Sequence, residues 1–240
     1  MYTIERKVWF SDCGPDGILR ISNIVNYFQD CSTAHSESLG VGVSYTKAHG
    51  KAWILSSWQI CINRRPALGE EVKVSTWPSA FKGIYGYRNF TLENSSGELL
   101  AYANSIWVYM DVLRGRPCRP SREELDAYGE EPPFPMENAP RKIAVPEGGR
   151  KMPSLRVGKI HLDWNGHMNN GKYIEMAMEN MPENYEPSQI RVDYRKEALC
   201  GAVIVPKLAE EEGKKIVELC DEEETIYATI EFTGEESVCN

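Results

Sequence analysis

Asp163-Trp164-Asn165-Gly166-His167 stands immediately before a run of residues with helical spacing, and Asp12-Cys13-Gly14-Pro15-Asp16 stands before another. After the earlier stretch, Ile21, Ile24, Val25 and Phe28 recur at the period of a helix over residues 21–39. Ser22 is placed to cap its start, and Gly40 sits where a left-handed residue ends it. After the later stretch, Tyr173, Ile174, Ala177 and Met181 share one face of a helix capped by Asn169 or Asn170 and running to about Met181. Extended segments follow each helix. In the first half these are 53–63, 71–77, 85–93 and 99–110, the last two joined by the hairpin turn Asn94-Ser95-Ser96-Gly97. In the second they are 189–196, 202–209, 215–220 and 225–232, with a turn at Glu211-Glu212-Gly213.

A helix followed by an antiparallel meander therefore occurs twice. Pairing Asp12 with Asp163 aligns Asp16 with His167, and Arg64-Arg65-Pro66-Ala67-Leu68 aligns with Arg195-Lys196-Glu197-Ala198-Leu199. Matched landmarks in two halves point to an internal duplication. The class is α+β, each half burying one helix against a curved sheet, and the order is that of a double hotdog. Two unrelated α+β domains are the alternative. The halves are placed at 1–115 and 156–240, with a connector at 116–155. Pro117, Pro120, Pro132, Pro133, Pro135, Pro140, Pro146 and Pro153 crowd that connector, with one short helix at 121–128, so it is expected to lie partly ordered against the surface.

The bulk numbers narrow the class. With 42% hydrophobic and 26% charged residues in 240, the chain reads as globular, and six Trp and twelve Tyr suit an apolar pocket. A net charge of −8 argues against a general nucleic-acid binder. No apolar run spans a bilayer and no signal peptide is visible, so a soluble cytoplasmic protein is expected. The seven cysteines at 13, 31, 61, 118, 200, 220 and 239 form no C-x-x-C pair, which fits reduced thiols better than disulfides or zinc. Neither a metal nor a cofactor is called for.

The chemistry gathers at the second helix opening. Asp163, Asn165, His167, Asn169 and Asn170 put five polar side chains in eight residues. A helix N-terminus presents unpaired N–H groups and a positive dipole end, so the backbone of Gly166, His167, Met168 and Asn169 is the expected holder of a carbonyl or an oxyanion. Gly166 permits close approach or a positive φ, and an imidazole titrates near neutrality. Asp193-Tyr194-Arg195-Lys196-Glu197 ends a predicted strand. A carboxylate there, facing the helix start and tuned by burial, can activate water. The other half has Pro66 for Glu197 and Asp16 for His167 in this alignment, so one site per chain is expected.

These residues also carry a family resemblance. Asp163-x-Asn165-x-His167-x-Asn169-Asn170-x-Lys172-Tyr173-Ile174, followed by Tyr194-Arg195-Lys196-Glu197, resembles the signature of the acyl-acyl carrier protein thioesterases. So do Gly14-Pro15-Asp16-Gly17 through Asn26-Tyr27-Phe28-Gln29-Asp30, and Ser105-Ile106-Trp107-Val108-Tyr109-Met110-Asp111. The likeness covers nearly the whole chain, in the bacterial form without a plastid transit peptide. It implies a double hotdog, hydrolysis of acyl-carrier thioesters to free fatty acid, a catalytic C-terminal half, and an acyl pocket supplied largely by the N-terminal half. Family members often carry a Cys directly after the matching Glu. Here that residue is Ala198, and Cys200, two residues on, would be about 7 Å away on a strand, so attack by water without a covalent Cys intermediate is expected.

The expected catalytic set is Asp163, Asn165, His167 and Glu197, with the base left open between Asp163 and Glu197. The expected partner is an acyl carrier protein. Carriers are typically acidic, and Arg64, Arg65, Arg114, Arg116 and Arg119 are the candidate docking residues. Exposed sheet edges leave a homodimer open. Rival readings are an acyl-CoA thioesterase, a hotdog dehydratase, and a non-catalytic acyl-thioester-binding protein.

Overall fold

The computed structural model describes residues 1–236; Cys239 lies outside them. The chain divides into two compact units: Met1–Trp58 with Asn63–Asn138, and Gln59–Ile62 with Ala139 onward. The proline-rich connector is thus shared, its first part packing with one unit and its second with the other.

The first unit contains β1 (Tyr2–Lys7), α1 (Ile21–Ser38), α2 (Val43–His49), most of β2 (Lys51–Ile62), β3 (Glu71–Lys82), β4 (Tyr85–Asn94), β5 (Leu99–Asp111), β6 (Arg116–Pro117) and α3 (Arg122–Tyr128). Its strands run in the order β1-β3-β4-β5-β2, with β6 on β5. Ile24, Val25, Phe28 and Cys31 repeat every three or four residues along α1 and are all but inaccessible. They meet the sheet face built by Val72, Val74, Phe90 and Leu92. Phe28 packs 5.1 Å from Phe90 and 6.0 Å from Trp58, ring centre to ring centre. Replacing so buried a phenylalanine by alanine costs about 3–5 kcal/mol. The cap of α1 differs from expectation. Arg20 holds the cap position without a side-chain bond to the helix, and Ser22 is a buried residue of the first turn. Gly40 does adopt a left-handed φ of 73° just beyond the end.

The second unit contains β7 (Arg150–Lys151), β8 (Leu155–Arg156), α4 (Asn170–Met178), β9 (Tyr185–Tyr194), β10 (Val203–Glu211), β11 (Lys214–Cys220) and β12 (Ile226–Glu236). Its order is β9-β12-β11-β10-β7, all antiparallel, with β8 on β10. Tyr173, Ile174 and Ala177 of α4 are buried, as are Ile190, Val192, Ile230 and Phe232 on the sheet. The helix ends at Met178, three residues short of the expected Met181, with Pro182 close behind. Its cap is Asn169, whose side chain accepts the Gly171 N–H at 2.8 Å.

Part of the connector packs in each unit on the sheet face turned away from the helix, residues 132–134 in the first and 140–142 in the second. Proline-rich backbone has few N–H groups, and here its carbonyls accept from side chains instead. In the first unit Trp77 Nε1 donates to Pro132 O at 2.9 Å, and Phe134 packs 5.0 Å from Tyr102. In the second, the buried Arg191 guanidinium donates to the carbonyls of Pro140 and Lys142 and pairs with Glu231 at 2.9 Å. Ser121 caps α3 in a capping box with Glu124.

Candidate active site

Each unit opens its helix with the same backbone construction. In the second, a 3-10 turn at Lys159–His161 leads into a loop where Asp163 N donates to His167 O (2.7 Å) and Gly166 N to Asp163 O (3.1 Å). Asn169 N then donates to His161 O (2.9 Å) and Met168 N to Ala198 O (3.0 Å). In the first, a 3-10 turn at Phe10–Asp12 precedes Gly14 N to Ile18 O (2.9 Å) and Gly17 N to Gly14 O (3.0 Å). Arg20 N to Asp12 O (3.0 Å) and Leu19 N to Pro66 O (2.9 Å) complete the set. Gly17 and Gly166 hold the one position in each loop with a left-handed φ, 73° and 80°. Asn63 and Arg64 N–H groups share Leu100 O as those of Arg195 and Lys196 share Tyr227 O.

Bond for bond, the duplication is real, and it corrects the pairing expected from sequence. Gly14 corresponds to Asp163, Asp16 to Asn165, Ile18 to His167, Arg65 to Glu197 and Pro66 to Ala198. The earlier pairing matched like side chains, whereas the backbone follows the glycines. Aligning Gly17 with Gly166 would have found the true register. The first unit has neither an imidazole nor a carboxylate at the positions of His167 and Glu197, and its Arg65 pairs with Asp16 at 3.1 Å.

In the second unit, His167 Nε2 lies 3.3 Å from Glu197 Oε2. The loop before α4 supplies the imidazole, and the segment after β9 supplies the carboxylate. β9 ends at Tyr194, so Glu197 sits in a loop and not on the expected strand. The pair is open to water, with 40% of the His167 side chain and 56% of Glu197 exposed. The expected burial of the carboxylate does not occur.

Asp163 serves the loop. Its Oδ1 accepts the backbone N–H of Asn165 at 2.8 Å and of His167 at 3.2 Å, an Asx turn that sets where both residues project. The Asn165 amide is exposed and has no partner among the described residues. The expected oxyanion donors are a second correction. The N–H groups of Gly166, His167, Met168 and Asn169 all donate within the protein, to Asp163 O, Asp163 Oδ1, Ala198 O and His161 O. The first backbone N–H of α4 without a partner among the described residues is that of Asn170.

Two tyrosines that the sequence reading left in the helix face and the signature stand behind the pair. Ala198 N donates to Tyr173 Oη at 2.9 Å, and Tyr194 Oη donates to Asn170 O at 2.9 Å. Cys200 is exposed in a turn while Ala198 is fully buried, so the two do not share a face as expected for a strand.

Among the expected docking arginines, Arg64 is held by Glu70 and Glu98, both at 2.8 Å, and Arg114 lies 3.5 Å from Asp111. Arg116 and Arg119 are exposed without a partner among the described residues. The described residues contain no group of three His, Cys, Asp or Glu arranged to hold a metal ion, and no helix among them is long and apolar enough to cross a membrane.

Comparison with known proteins gives these two units a family. The acyl-ACP thioesterase N-terminal domain family matches residues 1–128, and the acyl-ACP thioesterase C-terminal domain family matches residues 147–234. The chain is 31% identical to a chloroplastic palmitoyl-acyl carrier protein thioesterase of Gossypium hirsutum, over 79% of this chain and 50% of that protein. It is 27% identical to a chloroplastic dodecanoyl-[acyl-carrier-protein] hydrolase of Cinnamomum camphora, over 80% and 55%. The chain spans about half the length of such curated relatives. Among solved structures, an acyl-ACP thioesterase from Bacteroides thetaiotaomicron superposes with a TM-score of 0.88 at 22% identity, covering 97% of each chain. A 12:0-ACP thioesterase from Umbellularia californica superposes at 0.82 and 20% identity, covering 98% of each. That likeness is one of fold, a double hotdog in a single chain. With family matches on both units, the chain belongs to the acyl-ACP thioesterase family.

Proposed function

We propose that this chain hydrolyses the thioester of fatty acyl-acyl carrier protein, releasing free fatty acid, at one site built on His167 and Glu197. The observation that carries the reading is the 3.3 Å approach of imidazole and carboxylate at the opening of α4, in the domain matched by the family's C-terminal half. Glu197 takes a proton from water, His167 and Asn165 orient that water, and the resulting hydroxide adds to the thioester carbonyl. The unpaired Asn170 N–H at the positive end of α4 receives the developing oxyanion. Collapse of the tetrahedral intermediate expels the carrier thiolate and leaves the carboxylic acid. Asp163 acts on this sequence through the backbone of Asn165 and His167, which favours Glu197 as the base.

The N-terminal half supplies the acyl pocket in this reading, and Arg114, Arg116 and Arg119 are the docking residues for an acidic carrier. The setting is cytoplasmic fatty acid biosynthesis, and pairing of two chains through exposed sheet edges is compatible with it. No covalent cysteine is used, because Ala198 has no nucleophile and Cys200 points to solvent. The test is release of free acid from a series of acyl-carrier thioesters, with matched acyl-CoA thioesters and a Cys200→Ser variant alongside. Hydrolysis of the carrier thioesters, unchanged in Cys200→Ser, is expected. Turnover of CoA thioesters alone, binding without turnover, or loss of activity in Cys200→Ser would contradict the corresponding part.

A further inference from the structure

Ala198, the residue after Glu197, is held at both of its backbone polar groups. Its N–H donates to Tyr173 Oη at 2.9 Å, and the Ala198 carbonyl accepts from Met168 N at 3.0 Å, one residue past His167. Tyr173 is 3% exposed, projects from α4, and meets Tyr194 edge-on at 5.5 Å and 77°. Tyr194 in turn donates to the carbonyl of Asn170 at the helix start. Burial pushes the Tyr173 hydroxyl up to about 12, so it stays a neutral acceptor at working pH.

The first unit supplies an internal control. Where the second has Tyr173, Tyr194 and Ala198, the first has Ile24, Ile62 and Pro66. Proline has no N–H to offer and isoleucine no hydroxyl to receive one. Donor and acceptor are absent together in the unit that also lacks the imidazole and the carboxylate. Packing alone does not require the tyrosines, because the first unit closes the same loop on the same backbone bonds with aliphatic side chains.

We propose that Tyr173 is a positioning residue, its buried hydroxyl fixing the Glu197–Ala198 peptide so that the Glu197 carboxylate faces His167. This rests on the hydrolytic reading above. Removing the hydroxyl leaves a buried N–H unpaired and frees the peptide to move, and a misplacement of about 1 Å is enough to slow a reaction by about a hundredfold.

The experiment compares the parent, Tyr173→Phe, the double variant Tyr173→Phe/Ala198→Pro, and Glu197→Ala on an acyl-carrier thioester, with Tm for each. The double variant removes the orphaned N–H by the first unit's own solution and so restores stability without restoring the anchor. In Tyr173→Phe, kcat is expected to fall about tenfold or more with KM within about threefold. In the double variant Tm recovers and kcat does not. A kcat within about twofold of the parent in Tyr173→Phe overturns the proposal, as does a kcat that returns with Tm in the double variant. If Tyr173→Phe alone does not fold, the double variant's kcat decides by the same limits. Parent-level turnover by Glu197→Ala overturns the hydrolytic reading and the proposal together. An inactive Glu197→Ala beside a parent-like Tyr173→Phe overturns the positioning role alone.

Discussion

Asp163 and Glu197 looked interchangeable as bases in the sequence, and their surroundings separate them. Asp163 spends Oδ1 on two backbone N–H groups, while Glu197 faces an imidazole and solvent. Asp163→Ala should therefore lower stability by about 1–2 kcal/mol, and Asp163→Asn, which keeps an acceptor at that position, should recover most of it in urea titrations. Equal losses in the two variants would show that the Asx turn is not what Asp163 supplies. The residue types at the site were legible because a helix opening dense in polar side chains is uncommon. Which N–H groups were already bonded was not legible, since Ala198 O and His161 O reach Met168 and Asn169 only after the chain has folded.

Among elements, α1, β4, β5 and the hairpin between them followed directly from apolar periodicity and turn chemistry. β1 and α2 escaped: β1 alternates half-buried and exposed residues at a sheet edge, and α2 has no buried residue. The duplication was visible but misregistered, because its invariants are backbone bonds and a left-handed glycine while the side chains have diverged. Under α1 lies an element-level pH dependence. His35 is buried, with Arg88 Nη1 donating to its Nδ1 at 3.1 Å, and burial followed by the Arg88 charge holds its imidazole down at about 4 from 6.5. The groups packed around it are Arg88, Tyr128, Tyr2 and the N-terminus. A depressed histidine favours the unfolded chain on protonation. Its stability contribution is complete above pH 6.5, declines as pH falls toward 4, and amounts to at most about 3 kcal/mol. Urea unfolding at pH 7 and pH 5 should show the decline, and His35→Gln should flatten it; an unchanged slope would assign the effect elsewhere.

Across the whole molecule, the proposed reading has a chain of net charge −8 meet an acidic carrier through a local basic surface. Arg64 does not provide one, because Glu70 and Glu98 neutralise it. Arg116→Glu and Arg119→Glu should each raise KM for the carrier substrate severalfold and weaken its salt dependence, whereas Arg64→Ala should leave both unchanged. A strong effect of Arg64→Ala with none at Arg116 or Arg119 would move the docking surface. In the proposed reading the two units divide the labour: one has His167 and Glu197, and the other holds Ile18 and Arg65 at those positions. The proposed single site per chain is best probed by Glu197→Gln, because this side chain is 56% exposed and its loss should scarcely alter Tm. The predicted result is a fall of about a hundredfold or more in kcat/KM on an acyl-carrier thioester at unchanged Tm, and kcat/KM within a few-fold of the parent would contradict it.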